Sequence, residues 1–99
     1  DRCIAAKLIP PAHENVFHVF PFLTPKRDQL KAFLAENGVG TKIHYFRPPY
    51  LQPCYPEMNH LEFPIAKRIA DEELSLPCNS SLNDEDIIRV SKLINQFLA

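Results

Sequence analysis

Glycine is almost absent from the chain: its 99 residues include only Gly38 and Gly40. Loops that cradle phosphate with consecutive backbone N–H groups need several glycines close together, so neither a P-loop nor a dinucleotide-binding turn is present. An excess of one charge is also absent. Eleven Lys and Arg stand against twelve Asp and Glu, a net charge of −1. That balance removes the electrostatic footprint of most nucleic-acid binders and leaves no basic patch for a membrane surface. The uncharged run from Val16 to Pro25 is interrupted by His18 and Pro21 and falls short of the roughly 20 apolar residues a spanning helix requires. The cysteines, Cys3, Cys54 and Cys78, are odd in number and far apart, which fits neither a disulfide framework nor a close-spaced zinc pair. Reduced thiols in a cytoplasmic protein are expected. The chain begins at Asp1 with no charged-then-apolar leader, so no secretory signal is read and a trimmed start is expected.

What is present is a globular composition: 45% hydrophobic and 23% charged residues, with ten prolines. One domain with one modest core is the ceiling, since a chain of this length buries only about 60 to 65% of its unfolded surface. Residues 1–15 contain Pro10-Pro11 and are expected to form an arm or linker that leads out of something upstream. Val16 to Phe20 is dense in β-branched and aromatic residues and predicts a first strand, with Pro21 at its end. Thr24-Pro25 opens a helix expected over Pro25 to Asn37. Thr24 can accept from an orphan N–H, Leu30, Phe33 and Leu34 recur at helical spacing, and Gly38 suits the left-handed position after the last turn. Val39 to Phe46 predicts a second strand. Arg47 to Tyr55 is a loop constrained by Pro48, Pro49 and Pro53.

Pro64 opens a second helix with Ile65 and Ile69 on one face and Ala66 and Ala70 beside them. It ends in extended backbone near Ser75-Leu76-Pro77, where a very short strand can follow. The run Asp71-Glu72-Glu73 reads as a solvated helix face. Asn83 with Asp86 forms an Asx version of the capping box, and Ile87, Val90, Ile94 and Phe97 make the apolar stripe of a terminal helix. The fold class is α+β, a small two-layer domain with helices packed on a two- or three-stranded sheet.

Two constellations bear on chemistry. His44-Tyr45 at a strand end reads either as a titratable donor and a phenol at a cleft or as packed strand residues. Arg47, Tyr50, Gln52 and Tyr55 read either as a clamp for a ring or phosphate or as a rigid loop covering the edge of the core. His13, His18 and His60 stand at no metal-site spacing to one another or to the cysteines, and Cys78 near Ser80 and Ser81 has no base in sequence to activate it. No metal is expected.

The segment His44-Tyr45-Phe46-Arg47-Pro48-Pro49-Tyr50-Leu51-Gln52-Pro53-Cys54-Tyr55 resembles the His-Tyr, Pro, Leu-Gln-Pro-x-Tyr stretch in the C-terminal part of the DegT/StrS family of PLP-dependent sugar aminotransferases. Asn15-Val16-Phe17-His18, Phe63-Pro64-Ile65-Ala66, Glu73-Leu74-Ser75-Leu76-Pro77 and Leu82-Asn83-Asp84-Glu85-Asp86-Ile87 are similar to that family's flanking elements, in order. Tyr50 stands where the family often has His. The family's Schiff-base lysine lies in its large domain, and Lys7, Lys26, Lys31, Lys42, Lys67 and Lys92 are not in such a setting, so no catalytic or cofactor-binding residue is expected here. The resemblance implies the C-terminal part of a fold-type-I enzyme, with residues 1–15 the arm or linker from its large domain and 16–99 its small C-terminal domain. Such an enzyme is a homodimer that uses pyridoxal phosphate, bound mainly by the large domain, to move an amino group, usually from glutamate, to a nucleotide-linked keto-sugar. It also implies that His44, Tyr45, Arg47, Tyr50 and Tyr55 face the substrate, with His44 hydrogen bonding to sugar or phosphate oxygens. The rival expectation is a stand-alone, non-catalytic binding or interaction domain that uses the prolyl loop to hold a peptide or nucleotide.

Overall fold

The structure, a computed structural model, describes residues 17–99. The expected arm at 1–15, with Cys3, Lys7 and His13, and the start of the expected strand at Val16 lie outside the described residues. The elements in chain order are β1 (Phe20–Leu23), α1 (Arg27–Glu36), α2 (Pro64–Glu72), β2 (Glu73–Leu76) and α3 (Asp84–Leu98). Single 3-10 turns at Pro49–Leu51 and Pro56–Met58 lie between α1 and α2. The α+β class holds, built on a two-stranded antiparallel sheet.

The first strand begins later than its composition predicts and contains Pro21. The register explains how: Phe20 faces Leu76, Pro21 faces Ser75, Phe22 faces Leu74 and Leu23 faces Glu73. Ser75 sends both of its backbone groups away from β1, donating N–H to Lys42 O at 2.7 Å and accepting from Lys42 N at 3.3 Å. Pro21 therefore sits in a pair that exchanges no ladder hydrogen bonds, and its missing N–H costs the sheet nothing. The expected second strand over Val39 to Phe46 shrinks to that one bridge, Lys42 to Ser75. The ladder stops because the N–H of His44 is taken by the Glu73 carboxylate at 2.7 Å instead of by backbone.

Helix α1 starts two residues after the expected Pro25. Thr24, 1% exposed, ties the turn before it, donating N–H to Glu72 O at 3.1 Å and accepting from Lys26 N at its Oγ1 at 3.2 Å. The other end closes on Gly38 at φ 78°. Gly38 N–H bonds Ala35 O at 3.0 Å and Val39 N–H bonds Leu34 O at 2.8 Å, the paired bonds of a Schellman stop. Leu34 and Val39 then meet in the core, which also holds Phe22, Leu30, Leu74 and Ile94. Helix α3 opens with the expected capping box, Asn83 accepting from Asp86 N at 2.9 Å and Asp86 accepting from Asn83 N at 3.1 Å. It packs Phe97 on Phe33 with ring centroids 5.4 Å apart, and Arg89 donates to the Asn37 carbonyl at the end of α1.

Helix α2 leaves most of its apolar face open, and one sequence expectation beside it is corrected. Ala70 is buried, but Ile65 is 78% and Ile69 43% exposed. The acidic run is not one solvated face. Asp71 and Glu72 pair with Lys67 and Arg68 one turn earlier, whereas Glu73 is 3% exposed, because the helix ends at Glu72 and the strand that follows turns the next side chain inward. Arg27 locks this junction. Buried at the start of α1, it donates through Nη1 to Ala70 O at 2.9 Å and Glu73 O at 3.1 Å, satisfying carbonyls that the end of α2 would otherwise leave unpaired.

Candidate functional site

The segment between the Lys42 bridge and α2 divides its side chains between two grooves. Tyr45, Arg47, Pro49, Gln52 and Tyr55 line the first, of about 620 Å³, with Ile43, Phe46 and the Ala66–Ile69–Ala70 face of α2 completing the wall. Tyr45 and Phe46 are 72% and 64% exposed, which is unusual for aromatics of their size. The Arg47 guanidinium lies 5.6 Å from the Phe46 ring centroid, so the groove pairs flat apolar surface with a forked cation, a combination suited to a ring carrying an anionic group.

Prolines and one asparagine hold this loop. Leu51 and Gln52 bond back to Pro48 O and Pro49 O at 3.0 and 3.1 Å, and Gln52 Nε2 donates to Arg47 O at 2.9 Å. Asn59 gathers the carbonyls of Tyr50 at 2.8 Å, Tyr55 at 3.2 Å and Gln52 at 3.4 Å. Asn59 was not singled out in the sequence, since an Asn before His60 carries no local signal of the three carbonyls it serves. Tyr50 does not join the others. It is 6% exposed, packs edge-on against Phe63 with centroids 5.0 Å apart, and is not among the residues that line the first groove.

His44 lies on the other side, in a groove of about 510 Å³ formed with Thr41, Lys42, Ser75, Pro77 and Cys78. Its ring is half-buried and stands edge-on to Tyr45, centroids 5.2 Å apart. Its Nδ1 is 2.7 Å from Ser75 Oγ, and Ser75 Oγ donates to Glu73 Oε1 at 2.5 Å. The other oxygen of Glu73 accepts from His44 N–H, so His44, Ser75 and Glu73 close a ring of three hydrogen bonds. Glu73 and Ser75 were missed as site residues. Their spacing of two on a strand, opposite in face to core Leu74, is the signal that places both on one side.

Among the described residues no group of three or more His, Cys, Asp or Glu side chains could hold a metal, and no helix is long and apolar enough to cross a membrane. The lysines among the described residues do not fit a Schiff-base site. Lys26, Lys42, Lys67 and Lys92 are exposed and Lys31 donates to Thr41 O at 3.2 Å.

The fold is shared with solved structures. DesV of S. venezuelae, crystallised with a ketimine intermediate, superposes with a TM-score of 0.79 at 31% identity, covering 85% of this chain and 23% of that one. A DegT DnrJ EryC1 StrS aminotransferase from Brucella abortus gives 0.77 at 26% identity, over 90% of this chain and 24% of its own. Residues 4–95 match the model of the DegT/DnrJ/EryC1/StrS aminotransferase family, and the chain belongs to that family. The dTDP-3-amino-3,6-dideoxy-alpha-D-galactopyranose transaminase of Aneurinibacillus thermoaerophilus is 34% identical over 83 residues, 84% of this chain and 23% of the relative. A pleiotropic regulatory protein of Geobacillus stearothermophilus is 39% identical over 85 residues, again 84% of this chain and 23% of the relative. The chain spans about a quarter of the length of these relatives.

Proposed function

We propose that residues 16–99 are the substrate-closing small domain of a homodimeric, cytoplasmic, PLP-dependent aminotransferase, with residues 1–15 the arm from its large domain. The parent transfers an amino group from glutamate to a nucleotide-linked keto-sugar. Pyridoxal phosphate supplies the electron sink for that chemistry and is held outside the described residues, so this chain alone is inactive. Its own residues orient the sugar nucleotide: Tyr45 and Tyr55 offer flat surface, Arg47 a fork for a phosphate, and His44 a hydrogen bond to the sugar. Tyr50 has a structural task. The observation that carries this reading is the groove of exposed aromatics beside Arg47, in a chain that matches sugar aminotransferases along most of its length. The exposed apolar residues Phe46, Ile65 and Ile69 support it further, since they are what a domain leaves open when it closes on a larger partner.

The test is the full-length protein that carries this chain, assayed with PLP and glutamate on nucleotide-linked keto-sugars. Amino transfer by the parent and none by the 99-residue chain is expected. Tight binding of a peptide or nucleotide by the chain alone, with no transfer by the parent, would favour the stand-alone binding domain.

A further inference from the structure

The ring of hydrogen bonds around His44 has a direction, and the direction determines what the imidazole can recognise. An ionised Glu73 offers only acceptors: Oε2 takes the His44 backbone N–H at 2.7 Å and Oε1 takes the Ser75 hydroxyl proton at 2.5 Å. The Ser75 hydroxyl has one proton and has given it to Glu73, so toward Nδ1 of His44, 2.7 Å away, it can only accept. Nδ1 must then carry the ring proton. Among the described residues Nε2 has no hydrogen-bond partner, which leaves it a bare acceptor on a ring that lines the second groove. Both partners are fixed in place, Ser75 at 5% and Glu73 at 3% exposure on strand β2, with Ser75 further pinned by its two backbone bonds to Lys42.

We propose that Glu73 and Ser75 are positioning residues that hold neutral His44 as the Nδ1–H tautomer, so that Nε2 accepts a hydrogen bond from a ligand hydroxyl and does not donate to a phosphate or keto oxygen. The hydroxyl assignment rests on the substrate-closing role proposed above; the tautomer assignment does not. The second-atom logic is that of any histidine whose free nitrogen is set by the bond its other nitrogen makes.

An isosteric change reverses the chain. In Glu73→Gln the side-chain oxygen is still needed by His44 N–H, so the amide NH₂ faces Ser75 and donates to it. Ser75 then donates to Nδ1, and the ring proton moves to Nε2. The experiment is a nitrogen–proton correlation spectrum of the imidazoles in the full-length protein, labelled at histidine, recorded near pH 8.5, about two units above the ordinary histidine pKa, with His44→Gln identifying the signal. Nδ1–H in the parent and Nε2–H in Glu73→Gln are expected, and Ser75→Ala should lose the single-tautomer pattern. An Nε2–H signal in the parent, or Nδ1–H persisting in both variants, would overturn the positioning role. A hydroxyl can donate or accept, so in sugar-nucleotide kinetics Glu73→Gln should leave KM within about threefold and kcat within about twofold, while His44→Ala raises KM. A tautomer flip with a much larger fall in KM would uphold the positioning role and overturn the hydroxyl assignment, because the ligand atom facing Nε2 would then be an oxygen that only accepts.

Discussion

Replacing Arg27 by Met keeps most of the buried stem and removes the guanidinium, and two effects then oppose each other. Taking a buried cation out of the protein relieves its desolvation, which in buried ion pairs often makes an apolar replacement neutral. Here, however, the groups left behind are the carbonyls of Ala70 and Glu73, bonded at 2.9 and 3.1 Å and belonging to residues only 3% exposed. Each carbonyl left unpaired costs about 1 to 3 kcal/mol. The third partner, Asp28, has an 83% exposed side chain, and an ion pair so open contributes about 0 to 1 kcal/mol. The unpaired carbonyls win, and Arg27→Met should lose about 3 kcal/mol. Arg27→Lys keeps the charge but reaches one carbonyl in place of two, so it should lose about half as much. Urea unfolding followed by helical circular dichroism measures both. Equal stability of Met and parent, or a Lys variant weaker than Met, would refute the argument that carbonyl satisfaction at the α2–β2 junction is what Arg27 supplies.

Asn83→Ala removes one bond of the capping box and leaves the first turn of α3 uncapped, an expected loss of about 1 kcal/mol in the same unfolding measurement. Gly38→Ala meets no atom within 4 Å but stands at φ +78°, so backbone strain alone should cost about 1 kcal/mol, read as a lower melting temperature. Tyr50→Ala should destabilise by about 3 kcal/mol, as expected for loss of a buried aromatic, while Tyr50→Phe should leave sugar-nucleotide KM unchanged in the parent. A KM shift in Tyr50→Phe would return that phenol to the substrate.

Three helix ends were legible because each carries its own chemistry: Asn83 with Asp86, Pro64 after Phe63, and Gly38 at a positive φ. The strands were less so. Pro21 looks like a strand end until Ser75, 54 positions away, is seen to face it with both backbone groups turned outward, and that is information no local window holds. Val39 to Phe46 has strand composition but only a single bridge, because a side chain, Glu73, takes the next donor. The candidate site followed the same division. His44, Tyr45, Arg47 and Tyr55 come from one contiguous motif, which the structure splits between two grooves. Glu73 was hidden inside an acidic run, since the change from helix to strand at Glu72 decides which carboxylate turns inward.

The central claim, that this domain contributes a substrate contact through His44, is tested most directly by steady-state kinetics of His44→Ala in the full-length protein, with melting temperature taken on the same preparation. A neutral hydrogen bond of about 0.5 to 1.5 kcal/mol predicts a rise in sugar-nucleotide KM of about two- to tenfold with kcat little changed. An unchanged KM with a clear fall in melting temperature would contradict it and make His44 a residue of the fold alone.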